Sequence, residues 1–167
     1  MQTERGSEAL TEVCEQLRQH RLPRWQELPE LELYMDQVLS LVGRYLGGYP
    51  GFDEKGLTAS MVNNYVKQGA LPPPRKKRFS RTLLARLLMI CVLKASLPIA
   101  AIKELLPEET RTEEFYDRFC DLFEDGNRET AQAHIAQPEP PLPAAACRAA
   151  LRAQAEQALA AHLCDDL

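Results

Sequence analysis

The chain has 167 residues and a mass of 18.9 kDa, of which 45% are hydrophobic and 26% charged. That composition excludes wholesale disorder and a collagen-like repeat, and a chain of this length buries roughly 70% of its unfolded surface without needing disulfide or metal staples. The formal net charge is −4, which argues against a protein that coats polyanions with its whole surface.

Residues 1–10 are polar and acidic, with no signal-peptide pattern. The longest uncharged apolar run, Leu87 to Leu93, is seven residues, where a membrane span needs about 20. A soluble cytoplasmic protein with no membrane association is the expectation. From the start of the chain, 7–19 reads as a short amphipathic helix with Leu10, Val13, Cys14 and Leu17 at helical spacing. Pro23 and Pro29 bracket a connector that carries the only tryptophan, Trp25, expected to plug the core or a hinge. Positions 31, 34, 35, 38, 41, 42, 45 and 46 are apolar, so a helix is predicted over 31–46 and stopped by Gly47-Gly48.

After a Gly/Pro loop, 58–68 reads as a helix with Thr58 as its N-cap and Gly69 ending it. At 100° per residue, Thr58, Val62, Tyr65 and Val66 share one face, while Ser60, Asn63, Asn64 and Lys67 share the opposite one. Pro72-Pro73-Pro74 then holds the chain extended, and Arg75-Lys76-Lys77-Arg78 follows directly. Ser80 caps the next predicted helix, 81–95, which is apolar nearly all round and so belongs in the core. A further helix is expected at 99–106, stopped by Pro107.

The acidic stretch 112–124 predicts a helix with Phe115, Phe119, Leu122 and Phe123 on one side, ended by Gly126, with one more short helix over 129–136. These phenylalanines read as core, with a small-molecule pocket as the alternative. The Pro-rich stretch 138–143 is a stiff linker dividing a helical domain, 1–137, from an Ala-rich C-terminal helix within 144–167. That last helix carries a thin apolar seam, Cys147, Leu151, Ala155, Leu159 and Leu163, suited to docking on something else. No useful strand alternation occurs, so the fold class is all-α.

Charge is segregated along the chain: residues 1–54, 55–103, 104–131 and 132–167 carry −5, +10, −7 and −2. The +10 window contains no Asp or Glu. It joins a helix with a one-sided polar face to four consecutive cations. Asn amides can address adenine N6 and N7 in the major groove, Ser and Lys reach bases or phosphate, and Arg/Lys on phosphate supply salt-dependent affinity. Double-stranded DNA is therefore the expected partner, with an acidic protein bound by the same basic face as the alternative. The acidic segment 104–131 suggests a DNA mimic that folds over the basic patch and inhibits it.

The stretch Leu57-Thr-Ala-Ser-Met-Val-Asn-Asn-Tyr-Val-Lys-Gln-Gly-Ala-Leu-Pro-Pro-Pro74 resembles the second helix and exit turn of the MerR-type winged helix-turn-helix. Phe79-Ser80 with Leu84-Ala85-Arg86-Leu87 is similar to that family's wing end and third helix, and Leu97 to Leu106 to its fourth. Together with Leu22-Pro-Arg-Trp25 and Leu33-Tyr-Met-Asp-Gln-Val38, the chain is more similar still to an uncharacterised bacterial family viewed as MerR-like regulators. The resemblance implies a sequence-specific transcriptional regulator that binds a dyad operator as a homodimer. It places Ser60, Asn63, Asn64 and Lys67 on a recognition helix, and Arg75, Lys76, Lys77 and Arg78 on a wing anchored by Phe79, and it makes the C-terminal helix the dimer element. Arg81, opening the next helix, completes the candidate DNA-binding set. The sequence departs from the pattern in the long interval between positions 46 and 58, in the short wing, and in having no effector-pocket residues that can be matched.

Catalytic signatures are missing: there is no G-x-S-x-G, H-E-x-x-H or phosphate-cradling glycine loop, so no enzymatic activity and no cofactor are expected. Five cysteines (Cys14, Cys91, Cys120, Cys147, Cys164) lie far apart with no closely spaced His, unlike a zinc site or a disulfide framework. They read as structural or incidental, with a thiol sensor built from Cys120, Cys147 and Cys164 as the alternative. His20, His134 and His162 are isolated.

Overall fold

The most apolar segment of the chain becomes its centre. In a computed structural model that describes residues 2–52, 55–106, 112–135 and 142–165, seven α-helices and one 3-10 turn account for the regular structure of the described residues. They are α1 (Gln2–Gln19), α2 (Met35–Leu46), α3 (Ala59–Lys67), α4 (Arg81–Leu93), α5 (Ile99–Leu105), α6 (Thr112–Ile135) and α7 (Leu142–Asp165), with the 3-10 turn at Trp25–Glu27. The all-α expectation holds. None of these helices is long and apolar enough to cross a membrane.

Eight consecutive or near-consecutive residues of α4, from Leu83 to Cys91, are buried, as a helix apolar on every side must be. Ser80 caps it, its hydroxyl accepting the Leu83 amide at 3.3 Å. Around α4 pack Val38, Val42 and Leu46 of α2, Val62 and Tyr65 of α3, Ile102 of α5, and Tyr116 and Cys120 of α6. α1 packs against α6.

Three boundaries differ from expectation. The second helix starts at Met35 rather than 31, because Leu33 is held extended: its amide donates to the Phe79 carbonyl at 2.9 Å and its carbonyl accepts the Phe79 amide at 2.8 Å. Leu31, counted as part of the apolar face, is 80% exposed. The first helix reaches back to Gln2.

The third difference is the largest. Gly126 does not end α6, which runs unbroken to Ile135. A mid-helix glycine costs only about 1 kcal/mol, and the packing of Tyr116, Cys120, Asn127 and Ala131, all buried along one side of α6, exceeds that. The linker at 138–143 and the stop at Pro107 fall outside the described residues, except that α7 opens at Leu142.

Among the described residues no carboxylate of α6 pairs with a cation of residues 75–78. Arg24 donates to Asp121 Oδ1 at 2.8 Å, to Glu124 Oε2 at 3.0 Å and to the Asp117 carbonyl at 3.0 Å. Asp117 also accepts the Trp25 amide at 2.8 Å, and Glu113 accepts the Gln26 side-chain amide at 2.8 Å. Burial works against the Arg24 charge, but Glu124 and Asp121 outweigh it and hold its pKa above the ordinary value. Four of the carboxylates in the acidic segment, Glu113, Asp117, Asp121 and Glu124, thus fasten α6 to the connector. Trp25 is half-buried there, edge-on to Tyr116 at 6.4 Å.

Candidate nucleic-acid interface

α3 is short and two-faced. Its N-cap Thr58 accepts the Met61 amide at 3.3 Å, and Val62 and Tyr65 are buried. Burial pushes the Tyr65 hydroxyl up to about 12, so it stays neutral. Ser60, Asn63, Asn64 and Lys67 are all exposed, and no carboxylate stands on this helix.

The exit from α3 is built to turn sharply. Gly69 takes a φ of +76°, the left-handed geometry that ends helices. The Ala70 and Leu71 amides both return to the Tyr65 carbonyl, at 3.0 and 3.2 Å. Arg86 of α4 donates to the Ala70 carbonyl at 2.6 Å and ties this turn to the core. The side chain of Lys103, from α5, passes over Gly69, its Cε 3.6 Å from where a Cβ would stand. That brings a cation to the negative end of α3.

Three prolines later the chain doubles back on itself. Arg75 and Arg78 face each other in an antiparallel bridge, with the Arg78 amide 2.9 Å from the Arg75 carbonyl. Lys76 and Lys77 form the tip, with φ of +49° and +62°. Two successive left-handed residues define the turn that matches strand twist, and Asn-Gly is its preferred pair; a lysine there costs about 1–2 kcal/mol. Phe79, 1% exposed, plugs the core immediately after the hairpin, and its pairing with Leu33 clamps the base.

All four hairpin cations are exposed, and among the described residues none has a carboxylate within ion-pair distance. Arg78 is nonetheless held in place: its guanidinium lies 5.1 Å from the Tyr34 ring centroid and donates to the Tyr34 hydroxyl at 3.0 Å. Arg75 and Arg78 share the wall of an open cleft of about 340 Å³ with Glu32, Pro72, Pro73 and Ser80.

Arg81 is placed differently from the rest of the set. It is paired with Glu30 at 3.1 Å, with its side chain only 15% exposed, and its guanidinium sits 5.5 Å from the Trp25 ring centroid. That is an anchor for the 24–30 connector. Tyr34, Glu30 and Glu32 were absent from the candidate set. Each lies more than 40 residues before its basic neighbour, and no local pattern links Tyr34 to Arg78. The window 55–103 has no acid of its own, but folding brings Glu30 and Glu32 alongside it.

Among the described residues no cysteine stands in a group of three or more metal-ligating side chains. Cys14, Cys91 and Cys120 are buried, and all five are free. Burial pushes the Cys91 thiol up to about 12 and Cys120 up to about 11, while the Cys120 thiol donates to the Pro23 carbonyl at 3.7 Å. Neither is a thiolate at neutral pH.

Among the described residues the regular elements are all helical, and the basic hairpin is the turn that joins α3 to α4. Residues 23–122, from the connector to the middle of α6, match the family model described as a domain of unknown function, DUF1836, and the chain belongs to that family. No curated protein and no solved structure matches the chain.

Proposed function

We propose that the protein is a sequence-specific DNA-binding transcriptional regulator built on a MerR-like winged helix-turn-helix. α3 enters the major groove, where Asn63 and Asn64 present amides to adenine edges while Ser60 and Lys67 reach bases or phosphate. Arg75 to Arg78 form the wing on the sugar-phosphate backbone and fix register. A homodimer presents two such units to a dyad site, with half-sites about 34 Å apart.

The observation that carries this reading is the hairpin tip. Two lysines occupy left-handed positions that favour Asn-Gly, and all four hairpin cations point to solvent without an acidic partner among the described residues. Backbone strain concentrated on unpaired charge supports a binding role rather than a stabilising one.

Binding to duplex DNA titrated with salt tests it. With about five phosphates contacted, log K falls against log salt with a slope near −4 to −5. Replacing Arg75, Lys76, Lys77 and Arg78 with Ala weakens all sequences alike, whereas Asn63→Ala relaxes preference for the specific site. Indifference to both genomic and random duplex at about 50 mM salt removes the regulator reading. Salt-sensitive capture of an acidic protein in its place assigns the basic face to a protein partner.

A further inference from the structure

Tyr34 carries a large ring that the core does not use. Its neighbours Leu33 and Met35 pack against the core, while Tyr34 between them is 50% exposed. Its backbone is nevertheless fixed. The Tyr34 amide donates to Gln37 Oε1 at 2.9 Å, its carbonyl accepts the Val38 amide at 3.0 Å, and Leu33 before it is bridged to Phe79. A half-exposed aromatic on a rigid backbone gains little from burial. What meets the ring is the Arg78 guanidinium, 5.1 Å from its centroid and donating to the Tyr34 hydroxyl at 3.0 Å.

Arg78 differs in this from the rest of the hairpin. Among the described residues the side chains of Arg75, Lys76 and Lys77 make no hydrogen bond, ion pair or ring contact. Such side chains sample many rotamers and lose that freedom when a partner binds them. Arg78 is already ordered. The Tyr34 hydroxyl occupies one donor of its guanidinium fork, and the remaining donors suffice for a bidentate contact with the free oxygens of a phosphodiester.

We propose that Tyr34 is a positioning residue of the DNA interface, holding the Arg78 guanidinium ready for a backbone phosphate so that Arg78 binds without first having to be ordered. This role rests on the DNA-binding reading and adds to it an uncharged residue 44 positions before the cation it serves.

Binding of the full chain to duplex DNA tests the role across four variants: Tyr34→Leu, Tyr34→Phe, Arg78→Ala, and Tyr34→Leu combined with Arg78→Ala. Tyr34→Leu weakens binding about fivefold, the cost of ordering one long side chain, and leaves the salt slope unchanged because no charge is lost. Tyr34→Phe keeps the ring and falls between Tyr34→Leu and the parent. In the Arg78→Ala background Tyr34→Leu has no further effect, a coupling that a merely structural role would not give. Without DNA, the Arg78 side-chain NMR signals lose their ring-current shift in Tyr34→Leu while the circular dichroism of the chain is unchanged. An equal loss from Tyr34→Leu with and without Arg78, or a Tyr34→Leu variant that binds DNA as the parent does, overturns the role and leaves the DNA-binding reading standing. A parent chain that binds no duplex DNA overturns the DNA-binding reading itself, and this role with it.

Discussion

Lys76 and Lys77 stand where a hairpin tolerates a side chain least, and that makes them the sharpest single-residue test of what the loop is for. Each holds a positive φ at a cost of about 1–2 kcal/mol, for no contact that repays it among the described residues. The pair Lys76→Asn and Lys77→Gly supplies the residues the turn geometry prefers. If the lysines are there for a polyanion, this variant is more stable and binds worse: a rise in Tm of about 3–6 °C with a salt slope shallower by about two. A stabilised variant with unchanged DNA affinity would take the hairpin tip out of the interface. Arg81 illustrates the opposite role. It has the same charge and comes three residues after Arg78, yet Glu30 and the Trp25 ring hold it against the body of the protein.

The helices show which physical signals were local and which were not. Both caps, Thr58 and Ser80, and the Gly69 terminator were legible because a cap or a left-handed exit is settled by a residue and its next three or four neighbours. The start of α2 was not, since Leu31 and Tyr34 fit the helical spacing while Leu33 between them is drawn into an extended bridge by Phe79, 46 positions away. Gly126 failed for the converse reason: a local breaker was overridden by tertiary packing through Tyr116, Cys120 and Ala131. That override predicts its own measure. A Cβ at Gly126 meets nothing within 4 Å, so Gly126→Ala raises stability by about 1 kcal/mol in denaturant unfolding. A loss of stability would mean that α6 bends at this position in solution. The candidate interface divides in the same way. The polar face of α3 and the four cations were visible as composition and periodicity, whereas Tyr34, which orients Arg78, comes from an element 44 residues distant.

At the scale of the whole molecule, charge segregated by sequence does not become two opposed faces that neutralise each other. The acids of α6 close on Arg24 and the connector, so the basic hairpin keeps its positive field while the chain as a whole stays at −4. The element with the least reason to exist within a monomer is α7. Ala160 and Cys164 pack on the core, but Leu151, Leu159 and Leu163 are 66%, 55% and 59% exposed on a helix otherwise rich in alanine. Single exposed leucines are ordinary; three along one helix suit a self-complementary contact. Light scattering on the full chain should then report twice 18.9 kDa. Leu151→Glu with Leu159→Glu should return it to 18.9 kDa with its helical content intact, because both positions face solvent and leave the Ala160 and Cys164 contacts in place. The same charged variant should bind a single half-site as well as the parent and lose the gain on a dyad site. Monomeric mass for the parent chain, or an unchanged dimeric mass for the variant, would remove α7 as the dimer element and leave any pairing of DNA half-sites to another surface.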